Sequence, residues 1–150
     1  MTPGDYGGLA DAIRGELTHL DHADAAMTRV VHLLKQIPHY SWVGIYLIDG
    51  DELVLGPFLG TPSPHARIPL GRGICGAAAT EKATIIVDDV GSDPRYLACS
   101  LETQSEIVVP IMRGNLVLGE IDIDSDRRAA FGAADRQLLE TVATLLAEKL

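Results

Sequence analysis

Residues 105–125, SEIVVPIMRGNLVLGEIDIDS, decide how the rest of the chain is read. Two apolar runs, SEIVVPIM and LVLGEIDID, flank the tight turn Arg113-Gly114-Asn115. Runs of this length, rich in β-branched residues and joined by a glycine turn, form an antiparallel hairpin. The second run alternates Glu120, Ile121, Asp122, Ile123, Asp124, so its isoleucines face one way and its carboxylates the other. On the first run, Glu106 shares a face with Val108 and Pro110. A one-sided antiparallel sheet ordinarily turns its acidic face to water. A covering loop changes the chemistry. The carboxylates are then crowded and partly desolvated, and at least one pKa rises. A carboxylic acid kept neutral near pH 7 donates a proton, and an ionised one holds an ammonium group.

The rest of the chain supplies that loop. Upstream, SWVGIYLI alternates Trp42, Gly44 and Tyr46 against Val43, Ile45 and Leu47, Asp49-Gly50 turns the chain, and DELVLGPFLG returns as a second hairpin. HARIPL is a short extended piece, GRGICGAAATEKA a glycine-led, alanine-rich helix, and TIIVDDV a short strand. GRGICG matches neither the dinucleotide fingerprint nor the phosphate loop. It lets a helix begin close to the sheet, with free backbone N–H groups at its start. Before the strands, Leu9, Ile13 and Leu17 have helical spacing, as do Ala23, Met27, Val30, Leu34 and Ile37, with Asp21 as N-cap and Pro38 beyond the end. AADRQLLETVATLLAEKL closes the chain as a helix. The expected fold is α+β: a central, largely antiparallel sheet, N- and C-terminal helices on one face, and a loop-covered pocket on the other, crossed by the stretch from about Gly56 to Ser105. Residues 1–150 read as one domain, with N-terminal helices over 1–38, the pocket-bearing sheet and loops over 41–131 and the last helix over 132–150.

Composition narrows the function. The chain has 150 residues, 47% hydrophobic and 22% charged, which supports a packed core. A net charge of −9 opposes a nucleic-acid partner. No apolar run is long enough to span a bilayer, and MTPGDYGGLADAIRG lacks the pattern of a secretory signal, so a cytoplasmic protein without membrane contact is expected. The two cysteines, Cys75 and Cys99, are too far apart to read as a disulfide scaffold or zinc site, and the histidines show no metal spacing. Taken singly, Cys75 suits packing at a helix start, and Trp42 and Tyr46 suit a core. Cys99, in a loop ahead of Glu106, reads either as a packed small residue or as a nucleophile facing carboxylates.

Taken in order, WVGIYL, ELVLGPFLG, RIPLGRGICGAAA, DPRYLACS, SEIVVPI and GEIDIDS resemble the free methionine-(R)-sulfoxide reductases, which are single-domain GAF proteins. The resemblance runs from about Ser41 to Phe131 and into the last helix. It implies Cys99 as the catalytic cysteine and Cys75 as a second family cysteine. It implies Glu106, Asp122 and Asp124 as pocket carboxylates, and Trp42 and Tyr46 as the aromatic residues that cradle the ligand. The implied substrate is the free R epimer of methionine sulfoxide, without metal or organic cofactor, and thioredoxin or a small thiol is the reductant. The residue types suit the reaction. A thiolate attacks sulfur, Glu106 or Asp124 protonates the departing oxygen, and the sulfenic acid condenses with a thiol. Asp122 or Asp124 anchors the substrate ammonium in a closed pocket that excludes a peptide chain. One departure stands out: the family's resolving cysteine, just before RIP, is replaced by His65 in SPHARIPL. Cys75 could take over, a small thiol could reduce Cys99 directly, or the chain could only bind. A ligand-sensing GAF module and a Cys75–Cys99 redox switch are the competing readings, and a homodimer through the helices is compatible with all three.

Overall fold

The computed structural model describes residues 1–97 and 101–150. Cys99, the expected nucleophile, lies outside them. The elements run α1 (Tyr6–Leu17), α2 (Ala23–Leu34), β1 (Trp42–Asp49), β2 (Glu52–Leu59), β3 (Arg67–Pro69), α3 (Gly73–Glu81), β4 (Ile85–Val87), β5 (Ser105–Arg113), β6 (Leu116–Ser125) and α4 (Ala133–Ala147). The strands form one sheet in the order β3-β2-β1-β6-β5-β4. Every neighbouring pair is antiparallel. The β5–β6 hairpin is the central element of the reading above, and its partners fall as the alternation requires: Glu106 opposite Asp124, Val108 opposite Asp122, Pro110 opposite Glu120.

The apolar face of that hairpin carries the main core. Ile107, Val109, Ile121 and Ile123 join Val43 and Ile45 of β1 beneath Leu9 and Ile13 of α1, Met27, Val30 and Leu34 of α2, and Leu138, Val142 and Leu146 of α4. Complete burial of one such side chain contributes about 1.5–3 kcal/mol, so three helices on one face account for most of the driving force. Two helix details differ from the sequence reading. His22, not Asp21, occupies the N-cap of α2, in extended conformation and without a side-chain cap bond. The helix also stops at Leu34, and Ile37 closes a tighter turn by donating its N–H to the Leu34 carbonyl. Pro38 is the reason, since it disfavours helical backbone at the residue before it. Ile37 is buried all the same.

A polar hub fastens the helical layer. Asp135 Oδ1 accepts from the Tyr6 hydroxyl at 2.9 Å and the Tyr40 hydroxyl at 2.8 Å, and His39 Nε2 lies 3.0 Å away. Its other oxygen accepts the Gly132 N–H at 2.9 Å. One carboxylate thus ties α1, the lead into β1 and the start of α4. Burial works to raise the Asp135 pKa, but the Gly132, Tyr40, Tyr6 and His39 bonds together outweigh it and hold the carboxyl below its ordinary value.

Candidate active site

The second face of the sheet is not solvated. Glu106, Glu120, Asp122 and Asp124 are 4%, 0%, 1% and 2% exposed. Their cover is α3 with the chain around it. Ile68, Ile74, Cys75, Ala78, Val87 and Val90 pack with Trp42, Tyr46, Leu53 and Val108 in a second apolar cluster. Small residues allow the close approach. At Gly73 the backbone has a φ of +70°, and a Cβ there would lie 2.8 Å from Leu97, so glycine is strongly favoured where α3 begins against that segment. Cys75, one turn into α3, is thereby buried directly over the acidic strand.

Trp42, Gly44 and Tyr46 stand opposite Asp124, Asp122 and Glu120 on β6. A Cβ on Gly44 would fall 2.3 Å from the Trp42 ring, so the indole lies across the strand where a side chain would otherwise stand. Trp42 also stacks on Phe58 with 5.7 Å between ring centroids, and its Nε1 donates to the Thr61 carbonyl at 2.9 Å. Tyr46 is buried and donates its hydroxyl to the His65 carbonyl at 2.8 Å. Both aromatic residues therefore pin the 61–65 loop while facing the acids.

The acids themselves are under-satisfied. Both Glu120 side-chain oxygens, Asp122 Oδ1 and Asp124 Oδ1 are buried without a hydrogen-bond donor among the described residues. Glu106 and the Cys75 thiol bond to Asp122, and Glu106 also bonds to Asp124. Burial pushes the pKa values of Glu120 and Asp124 well above the carboxylate range, and the neighbouring Asp122 charge pushes them further. Asp122 is raised by burial, against the pull of Glu106 and Cys75. Burial and the charges of Asp122, Glu120 and Glu106 push the Cys75 thiol well above its ordinary value. Burial thus favours the neutral forms of Glu120, Asp122, Asp124 and the Cys75 thiol. Such a set donates protons and accepts a cation.

Two hollows open along this face. One, about 10 Å³, is lined by Tyr46, His65, Cys75, Leu97, Glu106 and Asp122 among others, room for about one water. The other, about 80 Å³, is lined by Ser41, Trp42, Thr61, Glu102, Asp124 and neighbouring residues. Neither is the amino-acid-sized chamber that the sequence reading expects. Leu97 and Glu102, on either side of the three undescribed residues, each line one hollow. The structure thus brings Trp42, Tyr46, Glu106, Asp122 and Asp124 onto one face of the sheet, with Cys75 in the cover above them. Glu120 belongs with them and was not among the expected site residues, although EIDID already placed it in phase with Asp122 and Asp124. Ligand atoms of Cys75, Glu106 and Asp122 all lie within 4.8 Å of one another, a grouping that three separate elements create and spacing does not reveal.

Comparison with known proteins agrees with this geometry. The GAF domain model matches residues 22–150. A GAF domain-containing protein of Dictyostelium discoideum is 39% identical over 142 residues, covering 94% of this chain and 89% of that protein. The free methionine-R-sulfoxide reductase of Saccharomyces cerevisiae is 38% identical over 146 residues, covering 94% and 79%. Among solved structures, free methionine-R-sulfoxide reductase from Neisseria meningitidis in complex with its substrate superposes with a TM-score of 0.94 at 35% identity, covering 98% of this chain and 89% of that one. Among the described residues no helix is long and apolar enough to cross a membrane.

Proposed function

Because the chain belongs to the free methionine-R-sulfoxide reductase family of GAF domains, we propose that it reduces free L-methionine-(R)-sulfoxide to methionine with a cysteine thiolate. The observation that carries the reading is the row of buried acid oxygens lacking donors beside Cys75. A protein does not normally bury orphaned oxygens, each of which costs about 1–3 kcal/mol, unless a ligand or water completes them. An amino-acid ammonium brings three donors and a positive charge to that row.

In the proposed sequence Cys99 attacks the sulfoxide sulfur. Glu106 or Asp124 delivers a proton to the oxygen, the resulting OH passes from the substrate sulfur to Cys99 sulfur as the S–O bond and the transient Cys99–sulfur bond break, and methionine leaves behind a Cys99 sulfenic acid. Burial favours the neutral, proton-donating form of Asp124. Asp122, opposite Gly44, takes the substrate ammonium, and Trp42 and Tyr46 form the wall. Only a free amine can occupy the anchor, which accounts for selection against methionine sulfoxide within a peptide chain. His65 stands where the family carries its resolving thiol, so Cys75 takes that role: its thiol condenses with the sulfenic acid, releasing water and forming a disulfide. Thioredoxin or a small dithiol then reduces the disulfide. Substrate access requires the cover to lift from the acids, since the hollows are only about 10 and 80 Å³.

The test is methionine formation from the free R-sulfoxide with dithiothreitol. Turnover that vanishes in Cys99→Ser supports the mechanism. Binding of the sulfoxide without turnover, or undiminished turnover in Cys99→Ser, overturns it in favour of a sensor or of a different nucleophile. Cys75→Ser is expected to keep the first turnover and lose recycling by thioredoxin.

A further inference from the structure

The pocket carries one more acid than sulfoxide reduction uses. Either Glu106 or Asp124 protonates the oxygen and Asp122 holds the ammonium, and Glu120 is left over, fully buried with both oxygens unpartnered among the described residues. It stands beside Asp122 and the Cys75 thiol. Ligand atoms of Cys75, Glu106 and Asp122 already lie within 4.8 Å of one another, and Asp122 Oδ1 is buried without a donor among the described residues. We propose that Cys75, Glu106 and Asp122, backed by Glu120, form a binding site for a thiophilic divalent cation of the Zn²⁺ class, which competes with the amino-acid substrate for the same pocket.

The donor set selects that class. Magnesium and calcium take oxygen donors and retain water, whereas one thiolate with carboxylates suits zinc and cadmium. Zinc–sulfur and zinc–oxygen bonds of about 2.3 and 2.0–2.2 Å set the edges of a tetrahedral site near ~3.5 Å. The three donors therefore need to close by only ~1 Å from the spread observed here. The elements that hold them are α3, β5 and β6, all in the packed body of the fold. On binding, the Cys75 proton leaves to solvent and the thiolate bonds to the metal. Glu106 and Asp122 are also substrate residues in the function proposed above, and the claim of competition rests on that reading. The claim of metal binding does not.

The experiment uses the reduced full chain and Cd²⁺ as a spectroscopic probe, followed by Zn²⁺ in calorimetry. A thiolate-to-cadmium charge-transfer band is expected to saturate at one metal per chain, to vanish in Cys75→Ser and to persist in Cys99→Ser. Glu120→Gln is expected to weaken Zn²⁺ affinity by about 10–100-fold, as for other groups that orient metal ligands. Added to Cys99→Ser, which cannot turn it over in the mechanism above, free methionine-(R)-sulfoxide should lower the apparent affinity. Circular dichroism establishes that each variant is folded, and Zn²⁺ should raise the Tm of the wild type but not of Cys75→Ser. A band retained in Cys75→Ser, a band lost in Cys99→Ser, or no saturable band overturns the site. Unchanged metal affinity at saturating sulfoxide overturns the competition. Because the readout is absorbance and heat, failure of turnover leaves the result interpretable.

Discussion

Asp135 and Asp122 are both buried aspartates on opposite faces of one sheet, and their surroundings are reversed. Asp135 receives two tyrosine hydroxyls and a backbone N–H, and meets His39 at 3.0 Å. Asp122 sits among three further carboxyls and a thiol, with one oxygen orphaned. Burial disfavours charge at both positions, yet Asp135 is held below the ordinary carboxylate range and Asp122 above it. The number of donors decides the sign. A buried acid supplied with every donor it needs contributes to folding. A row of acids left without donors among the described residues costs stability unless something beyond those residues completes the row.

The comparison yields predictions that separate the two sites. The largest effect is expected in Asp124→Asn, which should lower sulfoxide turnover by roughly 10²–10⁴-fold, the range for loss of a general acid, without loss of stability in urea titrations. A near-wild-type rate would remove Asp124 from the proton transfer. Next is Asp135→Ala, which strands the Tyr6 and Tyr40 hydroxyls in the core and should cost roughly 3 kcal/mol in the same titrations, as buried donors lose their acceptor. A cost under about 1 kcal/mol would mean that the hub is ornamental and the contrast empty. The smallest effect concerns pH. Acids with raised folded-state values contribute stability that is full below the unfolded carboxylate pKa of about 4 and is lost as pH rises through the folded values. Asp135, with a lowered value, contributes stability above about pH 4 that is lost as pH falls further. The Tm should therefore decline from mildly acidic toward alkaline pH through the pocket acids, and Glu120→Gln should flatten that decline. A steeper decline in the variant would show that Glu120 is stabilised as a charge.

How much of this was legible beforehand follows from the range of each interaction. EIDID needed only the period of a strand to place Glu120, Asp122 and Asp124 on one face, and Trp42, Gly44 and Tyr46 joined them by the same rule. The burial of that face was not legible, because it depends on α3 and the chain around it packing onto the sheet. Alternation looks the same under water and under a lid. The proximity of Cys75 to Glu106 and Asp122 was hidden for the same reason. The Asp135 hub left no local signal at all: Tyr6, Tyr40 and Asp135 are separated by 95 to 129 residues along the chain in their hydrogen bonds. The α2 boundary was misread because Asp21 is a good capping residue by type, while the fold set His22 in the extended capping conformation.

The central claim is that the acid row under the cover is completed by the ammonium of a free amino acid. Calorimetric binding of L-methionine-(R)-sulfoxide to folded Cys99→Ser protein, set against its N-acetyl derivative, tests it most directly. The account predicts saturable binding of the free amino acid and at least a tenfold loss, about 1.4 kcal/mol, when the amine is blocked. Equal affinity for the two ligands would contradict it.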